Sequence, residues 1–280
     1  MGKRLHAAVC LVVGMAAFGP QVAAVQTARP AALDLWAAGK TAFGVFVPDE
    51  NPAPRGPNRG PAVYTKAGGE ALAKNPLIDF VFLNLEQRYD RDAVMAISEG
   101  LGKRGTPGRK LMLVRIPSLH DAGPQVTGQR IKEILAMGAD GVTLPHVENL
   151  DQARQAVSLF ADARANVWSA ANPSGDVVAM LMLEDPGAVA QAAQIADIGG
   201  YSVLACGIGS LTGALKGDRA AAEKGNQEIL AETTRAKLVN MLTASAGDVA
   251  QRVKEGFGAL LAQGRDTDEV IRLGRAAAGR

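Results

Sequence analysis

VVAMLMLE (177–184) and YSVLACGI (201–208) are two apolar runs of strand length, and a helical pattern beginning at Pro186 lies between them. Both runs are continuously apolar rather than alternating, which is typical of parallel strands whose outer face is covered by helices. Proline suits the first turn of a helix, where its missing N–H has no acceptor to lose. The stretch 177–208 therefore predicts a strand, a helix and a second strand parallel to the first.

The same pattern recurs along most of the chain. Six further strand-length runs are FGVFV (43–47), DFVFLNL (79–85), KLMLVRI (110–116), GVTLPHV (141–147), KLVNMLTA (237–244) and FGALLAQ (257–263). Further helical patterns cover 90–102, 124–137, 149–164, 226–236, 247–256 and 267–278. Eight strands in one unbroken strand–helix series favour a (β/α)8 TIM barrel, with a doubly wound open sheet as the alternative.

The first residues are typical of an export signal. Lys3 and Arg4 precede a short apolar run at 7–18, and small residues lead to a cleavage site predicted after Ala24. The run is too short to span a bilayer. We therefore expect residues 1–24 to be a signal peptide and the protein to be exported, with a bacterial periplasm as the compartment that suits the signal best.

The remaining chain divides into two parts. Residues 25–40 predict a linker and a short helix, and residues 41–280 predict a single barrel domain. Two loops rich in proline, glycine or serine, at 51–61 and 169–176, are expected to contribute to the face of the barrel that carries the active site.

The charge balance of the chain bears on its possible partners, and its cysteine content bears on its possible disulfides. The chain has 30 basic and 28 acidic residues, and removal of Lys3 and Arg4 with the signal leaves 28 basic residues. A balanced charge gives no electrostatic basis for binding nucleic acid or a membrane surface. Cys206 is then the one remaining cysteine, so an internal disulfide cannot form, and buried packing is its expected role.

The carboxyl ends of the predicted strands hold the candidate functional residues, because the active site of a TIM barrel lies at that end. They are Glu86, Gln87, Arg115, His146, Glu184, Asp185 and the turn Gly207-Ile208-Gly209-Ser210. A hard divalent cation takes oxygen ligands, and an arginine stabilises developing negative charge. The set predicts an anionic substrate held beside a divalent cation.

Six segments also carry a family resemblance. They are DFVFLNLEQRYD (79–90), LVRIPSLHD (113–121), IKEILAMGADGVTLPHVENLDQARQAV (131–157), MLMLED (180–185), GYSVLACGIGSLT (200–212) and GFGALLAQGRDTDEVIR (256–272). In this order they resemble the pyruvate-aldolase and citrate lyase β-subunit superfamily, in particular the hydroxy-oxoheptanedioate aldolases. The resemblance implies a barrel of the phosphoenolpyruvate/pyruvate type that assembles into trimers or hexamers and cleaves a carbon–carbon bond to yield pyruvate or a similar 2-oxo acid.

The resemblance also implies roles for individual residues. Arg115 matches the arginine that assists at the substrate oxygen, and Glu184 matches a carboxylate that holds Mg²⁺ or Mn²⁺. Gly207 and Gly209 match the turn that binds the substrate carboxylate, with Ser210 following them. Glu86 matches the glutamate of the family's Glu-His pair.

Three positions depart from the family pattern. Gln87 stands where the family has its proton-carrying histidine, Asn84 where it has the partner aspartate, and Ser210 where it has the second metal carboxylate. Glutamine cannot act as a general base, and the loss of a carboxylate weakens the binding of a hard cation. The predicted metal ligands are therefore Glu184, Ser210 as a weak ligand and Asp185 as a replacement carboxylate. Gln87 is retained as a catalytic position, and His146 is the first candidate for the missing proton carrier.

His120, on the loop after the third strand, is the second candidate proton carrier. These departures leave two main hypotheses and one weaker alternative. The first is a metal-assisted lyase acting on a small 2-oxo or hydroxy acid, with a weakly bound cation. The second is a catalytically impaired barrel that binds a small carboxylate without turnover, and the weaker alternative is a structural role in an assembly.

Overall fold

A computed structural model describes residues 2, 29–54, 56 and 59–280. The predicted signal peptide at 1–24, apart from Gly2, and the first part of the predicted linker lie outside the described residues. Among the described residues, no helix combines the length and the hydropathy needed to cross a bilayer.

Eight parallel strands close into a barrel in the order of the chain, each hydrogen-bonded to the next and the eighth to the first. The strands are β1 (Ala42–Phe46), β2 (Phe80–Asn84), β3 (Leu111–Arg115), β4 (Gly141–Leu144), β5 (Val178–Leu183), β6 (Val203–Cys206), β7 (Val239–Ala244) and β8 (Ala259–Ala262). All eight fall within the apolar runs identified in the sequence or overlap them. The (β/α)8 barrel prediction is therefore confirmed, and the open-sheet alternative is wrong.

Helices surround this barrel. They are α1 (Ala31–Ala37), α2 (Lys66–Lys74), α3 (Arg91–Leu101), α4 (Leu119–Ala136), α5 (Leu150–Asp162), α6 (Pro186–Val189), α7 (Ala192–Ala196), α8 (Ile208–Ala214), α9 (Arg219–Ala236), α10 (Val249–Glu255) and α11 (Thr267–Ala277). Side chains cap several of them. Asp90 accepts from the backbone N–H groups of Asp92 and Ala93 at the start of α3, and Asn149 accepts from Gln152 at the start of α5.

The alternation of side chains along each strand produces two apolar layers. Phe80 and Phe82 point into the barrel, where they pack with Leu113 and Met180 among others. Val81 and its outward-facing counterparts pack against the helices. Successive side chains on a strand face opposite sides, so continuously apolar strands supply both layers at once.

The amino end of the barrel is closed by α1. Trp36 donates from Nε1 to the carbonyl of Gly258 at 2.9 Å, and its ring lies 5.9 Å from that of Trp168. Ala32 and Leu33 belong to the same buried cluster as the interior of the barrel. Side chains of α1 therefore fill the amino end of the barrel interior.

The structure differs from the sequence expectations in its local details. It adds α2 and α8, which the sequence patterns did not indicate, and it divides the helix expected at 186–198 into α6 and α7. Helix α4 begins earlier than residue 124, with a kink where Gly123 adopts a φ of 74° before Pro124. The loop 169–176 leads into β5, and the carbonyl of Pro173 accepts a hydrogen bond from Arg29 beside α1 at the amino end. Its expected place on the active face is therefore wrong.

Candidate active site

Four polar side chains meet at the carboxyl ends of four neighbouring strands. Arg115 is the last residue of β3, and Glu86 lies two residues beyond the end of β2. His146 follows β4 by two residues, and Glu184 directly follows β5. Because β2 to β5 are consecutive in the barrel, the four side chains converge on one side of its opening.

Arg115 lies between the two glutamates. Its Nη2 donates to Glu86 Oε1 at 2.6 Å and to Glu184 Oε2 at 3.1 Å. Its Nε is buried and has no hydrogen-bond partner among the described residues. A buried donor without an acceptor is costly. The Arg115 side chain that carries it lines the cavity at the mouth of the barrel.

His146 adopts a strained backbone conformation with a φ of 52°, which is uncommon for a residue other than glycine. Its backbone N–H donates to Glu184 Oε2 at 3.0 Å. Its ring places Nε2 2.7 Å from Glu86 Oε1 and Nδ1 3.2 Å from Glu184 Oε2. The imidazole therefore contacts both carboxylates, and strain of this kind is concentrated at functional sites.

Glu184 is the most deeply buried member of the group, with 2% of its side chain exposed. Its carboxylate occupies the space beside Gly207, where a Cβ would overlap it. Glycine at this position therefore allows the carboxylate to lie against the backbone between β6 and α8. Any larger residue at 207 would displace Glu184 from Arg115 and His146.

Asn84 positions the Glu86 loop. Its side-chain Oδ1 accepts a hydrogen bond from the backbone N–H of Glu86 at 3.2 Å, in the short turn that asparagine favours. The turn brings Glu86 back toward Arg115 and His146. Asn84 thus has a structural role that does not need an ionisable group.

A cavity of about 230 Å³ opens beside this cluster at the mouth of the barrel. Its polar wall includes Arg115, Glu184 and Ser210, and its floor is formed by apolar side chains that include Phe82 and Met241. A second, polar cavity of about 330 Å³ adjoins it on the other side of Glu184. The smaller cavity thus combines polar and apolar lining residues, and the larger one is lined by His146 and other polar residues.

The glycine turn predicted to bind a carboxylate forms the beginning of α8. Gly207 is the residue before the first helical position, and Gly209 and Ser210 lie in the first turn. The backbone N–H groups of a first helical turn have no acceptor within the helix. Ser210 borders both cavities, as does Glu184, so the structure brings these two residues to the same opening.

Three other predicted residues make no hydrogen bond or ion pair with the cluster, although Asp185 and His120 line the cavity of about 330 Å³. The Asp185 carboxylate accepts from the backbone N–H of Gly187 at 2.7 Å and caps α6. Gln87 is exposed in the loop after β2. His120 is exposed in the first turn of α4, with its Nδ1 3.5 Å from Glu148 Oε1. The catalytic role of Gln87 and the ligand role of Asp185 stay predictions.

Glu86, His146 and Glu184 form a potential metal-binding group. Each offers one ligand atom, and these atoms lie within 4.8 Å of one another. Two carboxylates and an imidazole are donors suited to Mn²⁺, and the carboxylates alone suit Mg²⁺. The donor set therefore fits a divalent cation, although it differs from the predicted combination of Glu184, Ser210 and Asp185.

Cys206 lies in the wall of the smaller cavity, but its environment makes the thiol unreactive. Burial, reinforced by the negative charges of Glu184 and Glu223, raises the pKa of its thiol to about 12. A thiol in this state is neutral near pH 7 and a poor nucleophile. The expectation that Cys206 serves packing agrees with this environment.

The contacts of Glu86 were not predicted from the sequence. The family match assigned it a position, yet its simultaneous contact with Arg115 and His146 depends on the turn made by Asn84. A carboxylate just beyond a strand end, as at Glu184, was the signal that pointed to it. The aromatic ring of Phe46 at the mouth of the barrel was missed as well, since an apolar residue at a strand end carries no distinctive signal.

The fold and the site define a (β/α)8 barrel with a carboxylate–arginine–histidine centre at the carboxyl ends of its strands. A family model for the HpcH/HpaI aldolase/citrate lyase family matches residues 79–272. The chain belongs to this family. The predicted relationship to aldolases and citrate lyases is thereby confirmed, and the family's members are carbon–carbon lyases of this type.

Solved structures share the fold of this chain. An HpcH/HpaI aldolase/citrate lyase family protein from Burkholderia cenocepacia has a TM-score of 0.65 and 18% identity, with 89% of this chain and 97% of the other covered. An HpcH/HpaI aldolase from Desulfitobacterium hafniense has a TM-score of 0.63 and 18% identity, with 82% and 89% covered.

The citrate lyase β subunit from M. tuberculosis, solved with oxaloacetate and magnesium, has a TM-score of 0.58 and 18% identity. The superposition covers 88% of this chain and 100% of that subunit. At these identities the likeness establishes the fold alone. A comparison with the curated proteins finds no significant match.

Proposed function

We propose that this protein is a metal-assisted carbon–carbon lyase that cleaves a small 4-hydroxy-2-oxo acid to pyruvate, or a similar 2-oxo acid, and an aldehyde. The observation that carries the proposal is the cluster in which Arg115 and His146 each contact both Glu86 and Glu184. Membership of a family of aldolases and citrate lyases supports this class of reaction.

Two groups on the chain are suited to hold the 2-oxo acid. The first turn of α8, from Gly207 to Ser210, offers backbone N–H groups to the carboxylate. The guanidinium of Arg115, which lines the cavity, offers a charged donor to the neighbouring oxo oxygen. Together they orient the substrate with its reactive carbons toward His146.

His146 is the proposed proton carrier. In the cleavage direction it accepts the proton of the 4-hydroxyl group, and the bond between C3 and C4 then breaks to release the aldehyde. The electron pair of that bond remains on the other fragment as the enolate of pyruvate, whose oxygen Arg115 stabilises. Return of the proton to C3 completes the reaction, and Glu86 keeps the imidazole in position throughout.

Glu184 and Glu86 are the residues proposed to hold a divalent cation, Mg²⁺ or Mn²⁺, with the hydroxyl of Ser210 as a weaker neighbour. Such a cation supplies charge stabilisation at the 2-oxo oxygen when it is bound. Two carboxylates completed by substrate and water are a usual set for Mg²⁺. This choice leaves His146 free to carry protons.

The test is release of pyruvate from 4-hydroxy-2-oxopentanoate in the presence of Mg²⁺ or Mn²⁺. We expect turnover by the wild-type protein and a fall of roughly 10²–10⁴-fold in His146→Gln. His120→Gln is the matched comparison, because His120 is the second candidate proton carrier and lines the adjoining cavity without contacting Glu86 or Glu184. If His146 is the proton carrier, His120→Gln should retain activity. Absence of wild-type turnover with either cation would overturn the proposal.

A second function is favoured by one specific observation. Asn84, Gln87 and Ser210 are neutral where the resemblance implies ionisable groups, which suits a barrel that binds a carboxylate without reacting. This function predicts that pyruvate raises the melting temperature without added metal, that Arg115→Ala abolishes the shift, and that no substrate is turned over.

We further propose that the protein is exported after cleavage near Ala24 and that it forms trimers or hexamers. The basic residues and apolar run near the start of the chain support export. Amino-terminal sequencing of the periplasmic protein tests the cleavage. Light scattering of the purified protein tests the assembly, and a monomeric mass would contradict it.

A further inference from the structure

A separate apolar cavity of about 660 Å³ opens on the same face of the barrel as the active site. It lies between β1 and β8 on one side and α2 and α11 on the other. Val45, Ala71, Leu72 and Ala262 line it. Its volume is within the range of pockets that hold small organic ligands.

This cavity adjoins the smaller cavity beside Arg115 and Glu184. Phe46 and Gln263 line both, so the two share a boundary at the ends of β1 and β8. The ring of Phe46 is 36% exposed and packs edge-on against Phe82, with the ring centroids 5.5 Å apart. A molecule that extends from the polar cluster past Phe46 therefore enters an apolar space.

The charges around the cavity restrict what can occupy it. The described residues that line it include the carboxylates Glu50 and Asp268 and no lysine, arginine or histidine. Glu50 accepts from the backbone N–H and hydroxyl of Thr65, and Asp268 accepts from the amide of Asn75 at 3.0 Å. Arg272, which does not line the cavity, lies 4.0 Å from the Asp268 carboxylate. A carboxylate entering this space would therefore meet two carboxylates and, among the described residues that line it, no basic side chain.

We propose that this cavity binds the variable end of the substrate and that this end is uncharged and apolar. The inference rests on the proposed lyase function and names the substrate class within it. The substrates are 4-hydroxy-2-oxo acids whose C4 substituent is an alkyl or aryl group, and the released product is the corresponding neutral aldehyde. Substrates that carry a second carboxylate at that end are disfavoured.

The experiment compares pyruvate release from 4-hydroxy-2-oxo acids that differ only at C4. The substituents are methyl, pentyl, phenyl and carboxyethyl. For the wild-type protein we expect kcat/KM to be about tenfold or more higher for pentyl and phenyl than for methyl, because each buried methylene favours binding. The carboxyethyl substrate should be the poorest of the four.

The informative variant is Ala71→Phe, which fills the cavity from an exposed position on α2 without touching the catalytic cluster. It should reduce kcat/KM for the pentyl and phenyl substrates by about tenfold and leave the methyl substrate within twofold. The matched control is Ala276→Phe. Ala276 is an exposed alanine of α11 that does not line the cavity, so this variant should change none of the four values.

The outcomes separate the two proposals. No turnover of any substrate by the wild-type protein would contradict the lyase function itself. Turnover of the methyl substrate together with a preference for carboxyethyl would overturn the apolar cavity alone. The same conclusion would follow if Ala71→Phe lowered all four values equally or lowered none of them.

Discussion

Arginine and carboxylate side chains cluster at both ends of the barrel, and the two clusters differ in what they face. At the amino end, Arg109 pairs with Asp140 and donates to the carbonyl of Gly138, and Asp140 also accepts from the backbone N–H of Met112. The side chains of Arg109 and Asp140 are 1% and 0% exposed. Their contacts join β3 to the start of β4.

At the carboxyl end, Arg115 pairs with Glu86 and Glu184 beside an open cavity, and one of its buried N–H groups has no partner among the described residues. The Arg115 and Glu86 side chains remain 12% and 16% exposed. Similar residue types thus have different surroundings: the enclosed pair links β3 to the start of β4, whereas the open cluster presents Arg115 and Glu184 to a cavity.

The largest expected effect on stability comes from breaking the enclosed pair. Arg109→Met leaves the buried Asp140 carboxylate with Arg104, at 3.3 Å, as its remaining cationic partner. The free energy of unfolding should therefore fall by about 3 kcal/mol, the lower end of the cost of breaking a buried pair. Urea-induced unfolding measures the change. A loss below about 1 kcal/mol would show that the enclosed pair does not differ from an exposed one.

A substitution in the open cluster should lower the catalytic rate strongly and the free energy of unfolding only slightly. Arg115→Gln removes the charged donor from the developing oxyanion, so the rate of pyruvate release should fall by about 10²–10³-fold. Its loss of unfolding free energy should be smaller than that of Arg109→Met, because the cluster borders a cavity. An Arg115→Gln protein that was fully active yet more destabilised than Arg109→Met would reverse the comparison.

The strain at His146 gives a smaller and more selective effect. Both His146→Ala and His146→Gly remove the imidazole and should abolish turnover. Glycine adopts a φ of 52° without penalty, so His146→Gly should be about 1 kcal/mol more stable than His146→Ala. Thermal unfolding of the two variants checks this difference, and equal stability would contradict the assigned strain.

The smallest effect tests Asp185, which caps α6 beside the cluster. Asp185→Ala should cost about 1 kcal/mol of stability, and Asp185→Asn should cost less because asparagine also caps helices. If capping is the residue's main role, calorimetric titration should give a Mn²⁺ affinity for Asp185→Asn within about twofold of the wild type. A tenfold weaker affinity would support Asp185 as a metal ligand instead.

The barrel was predictable because the sequence features that specify it are local and recur along the chain. Each continuously apolar run of strand length marks a strand covered on both faces, and residues such as Asp90 and Asn149 mark helix starts. The missed helix α2 contains Gly68 and Gly69, which oppose a helical interpretation. Gly69 is tolerated there because it packs closely against the backbone of Ile97 and Gly100 in α3.

The site was only partly predictable because its contacts depend on the ends of separate strands. The positions of Arg115, Glu184 and His146 followed from the barrel pattern, and the family resemblance supported the roles of the first two. The contact of His146 with Glu86 requires a left-handed backbone at His146 and the turn made by Asn84. Neither feature has a sequence signature that distinguishes it from an ordinary loop.

The most direct test of the account is exchange of the methyl protons of pyruvate with deuterium from the solvent, followed by NMR in the presence of Mg²⁺. Exchange requires a base that removes a proton from C3 and groups that stabilise the enolate, but it requires no aldehyde. We predict exchange well above background for the wild-type protein and for His120→Gln, and its loss in His146→Gln and Arg115→Gln. Exchange that persisted in His146→Gln would contradict the assignment of His146 as the proton carrier, and no exchange in the wild-type protein would contradict the lyase function.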